Sequence, residues 1–288
     1  MGLEQPLRSI LFVPGNKPSM LEKARTLPVD AVILDLEDGV PVEEKKAARA
    51  TIRQALEAGD YQPQVILRIN SFATTWAEED LRQAFGPGVT AICLPKTNTM
   101  ADVLHLAPLL TETEHAHDLE IGSLDMVLMI ETSHGVLHAH EMAERCWRVR
   151  ALCLGGEDLA RDLGAMRSRG GKELTEARAQ IVLAARAAGA MAIDTIWTDL
   201  NDQDGLVAEA RYARELGYSG KLLVHPDQIE PVHRAFAPTP AEVAHARRVV
   251  EAFDAANARG DGVIALDGQM IDAPVVARAR EVLKMAEA

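Results

Sequence analysis

The chain has 288 residues, of which 48% are hydrophobic and only 4% aromatic, so aliphatic side chains must form most of a sizeable core. Its formal net charge of −13 repels phosphate at long range, which argues against nucleic acid and anionic membrane surfaces as partners. The three cysteines are irregularly spaced, the amino terminus lacks a signal-peptide pattern, and no apolar stretch could span a bilayer. We therefore expect a cytoplasmic protein.

Eight short apolar segments alternate with helical segments along the chain. Their nearly continuous apolar character is typical of parallel strands that are covered on both faces. Eight strand–helix units predict an α/β fold, a (β/α)8 TIM barrel. A doubly wound open sheet is weakened as the alternative, because no GxGxxG follows the first strand. The predicted strands are SILFVPG from Ser9, AVILDLED from Ala31, QVILRIN from Gln64, VTAICLPK from Val89, DMVLMIET from Asp125, VRALCLGG from Val149, AIDTIWTD from Ala192 and GKLLVHPD from Gly220.

Further elements follow the eighth predicted strand. PTPAEVAHARRVVEAFDAANARG predicts a long helix that Gly260 stops, and GVIALDGQM predicts a hairpin with a turn at Asp267 and Gly268. IDAPVVARAREVLKMAEA predicts a last helix. We predict a barrel catalytic domain over residues 1–236 and a C-terminal helix–hairpin–helix extension over residues 237–288.

Polar side chains stand at the carboxyl ends of seven predicted strands. In a barrel these ends surround one mouth, where barrel enzymes build their active sites. Solvation of a strand end explains one such case, but seven in register indicate a site. The residues are Asp35, Glu37 and Asp38, then Arg68 and Asn70, then Lys96, Glu131, Glu157 and Asp158, Asp199, and His225.

Glu131 and Asp158 follow the neighbouring fifth and sixth predicted strands. Two carboxylates held together repel each other unless a cation or a shared proton relieves them, and Mg²⁺ prefers such oxygen ligands. The alternative is that each acid caps a helix or pairs with an arginine. We expect a metal site at this pair of acids. Arg68, which we expect nearby, could bind a substrate carboxylate, form an internal ion pair with Glu37 or Asp35, or do both.

The stretch LGGEDLARDLG places two glycines before the acids at a predicted helix start. Backbone N–H groups that are exposed in such a turn can cradle a substrate carboxylate. Gly156, Glu157 and Asp158 are therefore candidate substrate-binding residues, and so is Lys96.

Taken together, these segments resemble a known family. SILFVPGNKPSMLEKA, DAVILDLEDGV, VILRIN, LPKT, VLMIET, CLGGEDLARDLG, AIDTIWTDLND and GKLLVHPDQI are similar to the CitE-like proteins of the HpcH/HpaI aldolase superfamily. That group comprises citrate lyase β-subunits and malyl-CoA and citramalyl-CoA lyases. The resemblance covers nearly the whole chain, and it departs from the family pattern at Ser133 and His134, where relatives often read IETARG.

The resemblance implies roles for particular residues. Glu131 and Asp158 would bind Mg²⁺, Arg68 would bind a substrate oxygen, and Glu37 would support the acid–base chemistry together with Asp38. Asp272 would reach the site of a neighbouring subunit as an acid–base group, in a homotrimer or hexamer, although Asp272 before Ala-Pro is also a good helix N-cap. The residues implied near the coenzyme A phosphates are Pro14, Gly15, Asn16 and Lys17.

Four functions remain open from the sequence. We favour a lyase that cleaves malyl-, methylmalyl- or citramalyl-CoA to acetyl-CoA or propionyl-CoA and a 2-keto acid. The first alternative is a citrate lyase β-subunit that works on a citryl group carried by an acyl carrier protein within a complex. A malate-synthase-like condensing enzyme uses the same site. A regulatory protein that only binds thioesters would not need the acid pair and Arg68, all of which are present.

Overall fold

Eight parallel strands close into a barrel in the computed structural model, which describes residues 2–3, 7–258, 260 and 262–287. Each strand pairs with the next in chain order, and the eighth pairs with the first. The predicted TIM barrel is confirmed. The strands are β1 Ser9–Pro14, β2 Ala31–Asp35, β3 Gln64–Arg68, β4 Val89–Leu94, β5 Asp125–Ile130, β6 Val149–Leu154, β7 Met191–Asp194 and β8 Gly220–Leu223.

Helices connect successive strands. Short 3₁₀ turns over Val42–Glu44, Lys172–Leu174 and Pro226–Gln228 precede three of them. Within the described ranges, none of the helices is both long and apolar enough to cross a membrane. The helices are α1 Pro18–Ala24, α2 Lys45–Glu57, α3 Ala77–Ala84, α4 Met100–Ala116, α5 Ser133–Glu144, α6 Gly156–Asp162, α7 Thr175–Ala187, α8 Gln203–Leu216 and α9 Ile229–Phe236.

The barrel interior is packed with aliphatic and small side chains. Ile33, Ile66 and Val127 are fully buried there, together with the thiols of Cys93 and Cys153. The side chains that alternate with them, such as Val32 and Leu34, are buried as well. Because both faces of each strand are covered, the strands read as continuous apolar runs rather than alternating ones.

The strand register brings polar residues together at the mouth. Asp35 at the end of β2 is the partner of Arg68 at the end of β3. Ile130 at the end of β5 pairs with Leu154 at the end of β6, and the N–H of Gly155 donates to the Ile130 carbonyl at 2.9 Å. Glu131 therefore lies beside the start of α6.

The seventh strand ends earlier than the sequence indicates. β7 stops at Asp194, and the chain continues without strand structure to Asp199, so the expectation that Asp199 marks a strand end is wrong. The predicted strand was extended because Ile196 and Trp197 continue its apolar character. Asp194, which is fully buried, is the acid at the strand end.

Four buried charged groups join the barrel to its outer helices. The Lys221 ammonium group on β8 donates to Asp194 at 2.9 Å and to Glu209 on α8 at 2.6 Å. Arg178 on α7 binds the same two acids, each at 2.8 Å. Although burial raises the pKa of Asp194, Lys221 and Arg178 outweigh it and lower the pKa below its usual value. The two acids and two cations balance in charge. Because they come from β7, β8, α7 and α8, their contacts link these four elements.

The contacts divide the chain into a first unit that ends at Val232 and a second unit that begins at His233. The second unit contains α10 Pro240–Asn257, the hairpin of β9 Ile264–Leu266 and β10 Gln269–Ile271, and α11 Ala273–Glu287. The predicted helix–hairpin–helix order is confirmed. The boundary after residue 236 and the placement of the extension over a neighbouring subunit stay predictions.

The second unit has its own apolar cluster and well-formed ends. Ala246 and Val249 of α10 pack with Ile271 and Val276. Thr239 caps α10 in a capping box with Glu242. The hairpin turn has positive φ at both Asp267 and Gly268, as its Asp-Gly sequence predicts.

Breaking the buried charge cluster should strongly destabilise the barrel. Lys221→Met leaves two buried acids with one cation, so we expect a loss of about 3–5 kcal/mol in the free energy of unfolding. The control is Arg82→Met, because Arg82 pairs with Glu78 at 2.9 Å on an exposed helix face. That change should cost less than about 1 kcal/mol. Urea unfolding checks both values, and equal losses would contradict the role of the cluster.

Candidate active site

A cavity of about 360 Å³ opens among the carboxyl ends of the barrel strands. Its apolar surface comes from the strand ends, and its charged groups come from the residues at and just after them. The apolar lining residues are Phe12, Pro14, Met129, Leu154, Ile196, Leu222 and Val224. The charged lining residues are Asp35, Asp38, Arg68, Glu131, Glu157 and Asp158.

Glu131 directly follows β5 and is only 3% exposed. It accepts a hydrogen bond from the backbone N–H of Lys96 at 2.5 Å. Burial, together with the nearby acids Glu37 and Asp158, raises the pKa of Glu131 to about 8. This acid lacks a compensating cationic side chain of its own among the described contacts, which makes it a candidate for binding an added cation.

Gly155 is required where the chain passes Glu131. A Cβ atom at this position would lie 2.5 Å from the Cβ atom of Glu131 and 2.6 Å from its Oε2 atom. Any larger residue would push the Glu131 side chain out of its place. The first of the two glycines therefore makes room for the acid.

Asp158 lies in the first turn of α6 and its side chain is 22% exposed. It pairs with Arg161 at 2.7 Å, and it also raises the pKa of Glu131, so the two acids interact. Within the described residues, no group of three or more His, Cys, Asp or Glu side chains is arranged to hold a metal ion. A cation at this wall would thus have two carboxylate ligands and would complete its shell with other oxygen atoms, as Mg²⁺ commonly does.

Arg68 makes the internal ion pairs and faces the cavity as well. Its Nε and Nη2 atoms donate to Asp35 at 2.6 and 2.7 Å, and its Nη1 atom lies 3.1 Å from Glu37 Oε2. Its guanidinium carbon lies 4.6 Å from the ring centre of Phe12. Burial alone would raise the pKa of Asp35, but Arg68 and the N–H groups of Glu37 and Gly39 lower it overall.

Glu37 and Lys96 form a second ion pair beside Arg68. The Lys96 ammonium group donates to Glu37 and, at 3.1 Å, to Asp38. Burial raises the pKa of Glu37 above its usual value in spite of Arg68 and Lys96. Neither Glu37 nor Lys96 is among the cavity-lining residues, but each contacts one, since Glu37 pairs with Arg68 and Lys96 pairs with Asp38.

Comparison with known proteins places this arrangement in a family. The profile of the HpcH/HpaI aldolase/citrate lyase family matches residues 8–226. The chain belongs to this family. The resemblance inferred from the sequence motifs is thereby confirmed.

Relatives match nearly the whole chain. The citrate lyase subunit beta of Escherichia coli (strain K12) is 42% identical over 281 residues, which cover 97% of this chain and 93% of the relative. The (3S)-malyl-CoA thioesterase of Cereibacter sphaeroides (strain KD131) is 36% identical over 284 residues, which cover 98% and 95%. The crystal structure of CitE from Mycobacterium tuberculosis in complex with magnesium, acetoacetate and coenzyme A superimposes with a TM-score of 0.82 at 33% identity and covers 98% of both chains.

The sequence resemblance implies that the segment from Pro14 to Lys17 lies near coenzyme A. In this chain the segment begins at the cavity, at the end of β1, and reaches the exposed start of α1. Pro14 lines the cavity, and a Cβ atom at Gly15 would lie 2.6 Å from Ile52 and 2.7 Å from the Asp35 carbonyl. The Asn16 amide donates to Glu44 at 2.7 Å, and Lys17 is exposed at the start of α1.

Some predicted mouth residues lie elsewhere. Asp199 and His225 line a separate, smaller cavity. Asn70 is buried against Asp80, to which its side chain donates at 2.6 Å. Their expected place in the same mouth is therefore wrong: Asp199 and His225 lie farther along the loops after β7 and β8, and Asn70 is held by Asp80 and by the Leu36 carbonyl.

Thr195 was not predicted and lines the cavity. Its hydroxyl oxygen accepts from the N–H of Gly156 at 2.9 Å, which fixes the start of α6. A sequence analysis that ended β7 at Asp194 would have placed Thr195 directly after the strand and so at the mouth.

Asp272 lies in the second unit and caps α11. Its Oδ1 atom accepts from the N–H of Val275 at 3.2 Å. The capping alternative is thus observed, and an acid–base role stays a prediction.

The raised pKa of Glu131 predicts a pH dependence of stability. Because its pKa is about 8 in the folded state and about 4.5 in the unfolded state, Glu131 holds its proton in the folded chain at pH values where the unfolded chain has lost it. Stability should therefore fall as the pH rises through this range, by up to about 5 kcal/mol. Glu131→Gln should remove this part of the loss.

The check is urea unfolding between pH 5 and pH 9 with a chelator present. Glu131→Gln should exceed the wild type in stability at pH 8 and above, and match it near pH 5. Glu176→Gln, a change at an exposed residue of α7, should reproduce the wild-type curve. Parallel curves for the wild type and Glu131→Gln would contradict the raised pKa.

Proposed function

We propose that this protein is a Mg²⁺-dependent carbon–carbon lyase. Its substrate would be a 3-hydroxyacyl-CoA thioester of the malyl-, methylmalyl- or citramalyl-CoA class. Its products would be acetyl-CoA or propionyl-CoA and a 2-keto acid. The observation that carries the proposal is that Glu131, Asp158 and Arg68 line one cavity at the barrel mouth. The neighbouring CitE structure, which contains magnesium, acetoacetate and coenzyme A, supports it.

The donor set at the mouth fits Mg²⁺. Glu131 and Asp158 would hold it, since both supply hard oxygen donors and Glu131 lacks a cationic partner side chain among the described contacts. When bound, Mg²⁺ supplies Lewis-acid stabilisation of negative charge on a substrate oxygen. Gly155 supports the fit because it leaves room for the Glu131 carboxylate.

Arg68 would stabilise the charge that develops during cleavage. As the carbon–carbon bond breaks, its electron pair moves into the thioester fragment and creates an enolate oxygen. Asp35 and Glu37 hold the guanidinium group in place before the reaction, so little reorganisation is needed. Gly156, Glu157 and Asp158 line the same cavity and would contact the acyl group.

Proton transfer completes the reaction. A base removes the proton of the 3-hydroxyl group, whose oxygen becomes the carbonyl oxygen of the keto acid. An acid then protonates the enolate carbon to give acetyl-CoA or propionyl-CoA. We assign these steps to Asp272 of a neighbouring subunit in a homotrimer or hexamer, with Glu37 as the second candidate. Pro14, Gly15, Asn16 and Lys17 would contact the coenzyme A portion.

Two alternatives have support of their own. The citrate lyase β-subunit of E. coli is 42% identical, which favours cleavage of a citryl group on an acyl carrier protein within a complex. The malyl-CoA thioesterase of C. sphaeroides is 36% identical, which favours thioester hydrolysis at the same site, the step that a malate-synthase-like condensing enzyme would also use. A regulatory protein that binds thioesters without turnover is the non-enzymatic alternative.

The acid pair should be essential for turnover. With Mg²⁺ and a panel of hydroxyacyl-CoA esters, we expect acetyl-CoA or propionyl-CoA and a keto acid to form. Asp158→Asn and Glu131→Gln should each lower kcat/KM by at least about 100-fold, since each removes one of two metal ligands. Asp204→Asn, also in the first turn of a helix but exposed and outside the cavity, is the matched control.

The products separate the remaining functions. Release of free coenzyme A without a new carbonyl product would indicate a thioesterase. Turnover of citryl-carrier protein alone would indicate the citrate lyase subunit. Binding of thioesters without any turnover would leave only the regulatory role. Undiminished activity in Asp158→Asn would remove the metal assignment.

Asp272 should act on the site of another subunit. Asp272→Asn and Asp272→Ser both keep an N-cap acceptor but lose the carboxylate, so both should keep wild-type stability and lose turnover. Random mixing of Asp272→Asn with Glu131→Gln subunits should restore about a quarter of the activity, because that share of sites in a cyclic oligomer has both intact groups. Undiminished activity in oligomers made only of Asp272→Asn or Asp272→Ser subunits would show that Asp272 acts only as a helix cap.

A further inference from the structure

Lys96 has an unusual backbone conformation for its residue type. Its φ of 49° lies in the left-handed region, which a Cβ atom disfavours. The other non-glycine residues of the described chain with positive φ are Asp60, Asp118 and Asp267. Aspartate tolerates this region because its short polar side chain bonds locally, whereas lysine has no such compensation. Such a conformation persists only where its surroundings impose it.

Thr97, the residue after Lys96, is held in place by contacts with the ends of two strands and with α5. The N–H of Thr97 donates to the Met129 carbonyl at 3.2 Å, and its hydroxyl group donates to the Leu94 carbonyl at 2.8 Å. A Cβ atom at Gly135 would lie 2.6 Å from the Thr97 carbonyl oxygen, so α5 packs tightly against the loop. The loop after β4 is thus fixed between the ends of β4 and β5.

The conformation directs the two ends of Lys96 to different acids. Its N–H donates to Glu131 on one side, and its ammonium group donates to Glu37 and Asp38 on the other. The ammonium group is occupied by these acids, and Lys96 is not a lining residue of the cavity. A substrate contact of Lys96 stays a prediction.

We propose that Lys96 is a positioning residue, whose left-handed main chain holds the Glu131 carboxylate at the cavity wall for metal binding. This proposal rests on the proposed function, in which Glu131 binds Mg²⁺. Its ammonium group keeps Glu37 and Asp38 in place and offsets their charge near Glu131. The orientation of the N–H, rather than the side chain, is what the metal site requires.

Two substitutions separate the main chain from the side chain. Lys96→Asn and Lys96→Val both remove the ammonium group, but only asparagine tolerates a left-handed conformation well. Valine should turn the N–H away from Glu131. Isothermal titration with MgCl₂ in the absence of substrate measures the affinity directly. We expect Lys96→Val to bind Mg²⁺ about tenfold or more weakly than Lys96→Asn, in the range found when a partner of a metal ligand is lost.

Asp118 provides a matched control. It has a φ of 55° in the loop after α4 and does not line the cavity. Asp118→Val and Asp118→Asn should differ in thermal stability but bind Mg²⁺ with equal affinity. Circular dichroism checks the fold of Lys96→Val, and Lys96→Ala replaces it if valine prevents folding.

The outcomes separate this proposal from the proposed function. Equal affinity in Lys96→Asn and Lys96→Val, with a wild type that binds Mg²⁺ through Glu131, would overturn the role of Lys96 alone. Wild-type affinity in Glu131→Gln, or a wild type that binds no Mg²⁺, would overturn the proposed metal site and this role with it.

Discussion

The Arg68 guanidinium group holds Asp35 and Glu37 at the mouth of the barrel, and the rest of the site is arranged around this contact. Asp35 in turn accepts the N–H groups of Glu37 and Gly39, which fixes the loop after β2. Glu37 then reaches the ammonium group of Lys96. One buried cation therefore orders side chains from three strand ends before any ligand arrives, which is the preorganisation that stabilisation of a developing charge requires.

Charge balance distinguishes this site from the other buried cluster of the barrel. Arg178 and Lys221 face two acids, so the charges of that cluster balance within the protein. Beside the paired Glu157 and Arg167, the mouth instead has three cations, Arg68, Lys96 and Arg161, for five carboxyl groups, which are Asp35, Glu37, Asp38, Glu131 and Asp158. The excess of acids is relieved by protonation of Glu131 or by an added cation. A neutral cluster serves stability, whereas an unbalanced one is suited to binding.

The sequence allowed the barrel and the acid pair to be predicted because each depends on local pattern. Continuous apolar segments located the strands, and strand ends located Glu131 and Arg68. The pairing of Glu37 with Lys96, which lie 59 residues apart, depends on how two loops fold over the rim. The left-handed conformation of Lys96 depends on tertiary contacts of Thr97. Lysine has no preference for positive φ, so the sequence gives no sign of this conformation. Asp199 was misplaced because apolar residues after β7 continue the strand pattern outside the sheet.

Relatives with different names match nearly the whole chain in sequence, so an added or missing domain does not account for the difference between them. Barrel enzymes keep a common set of charged groups at the strand ends and vary the loops that contact the substrate. In this chain the charged wall is backed by an apolar surface from Phe12, Met129, Leu154 and Leu222. The apolar part of the wall offers no charged partner, so the proposed function would place the charged groups of a substrate beside Arg68 and the acid pair.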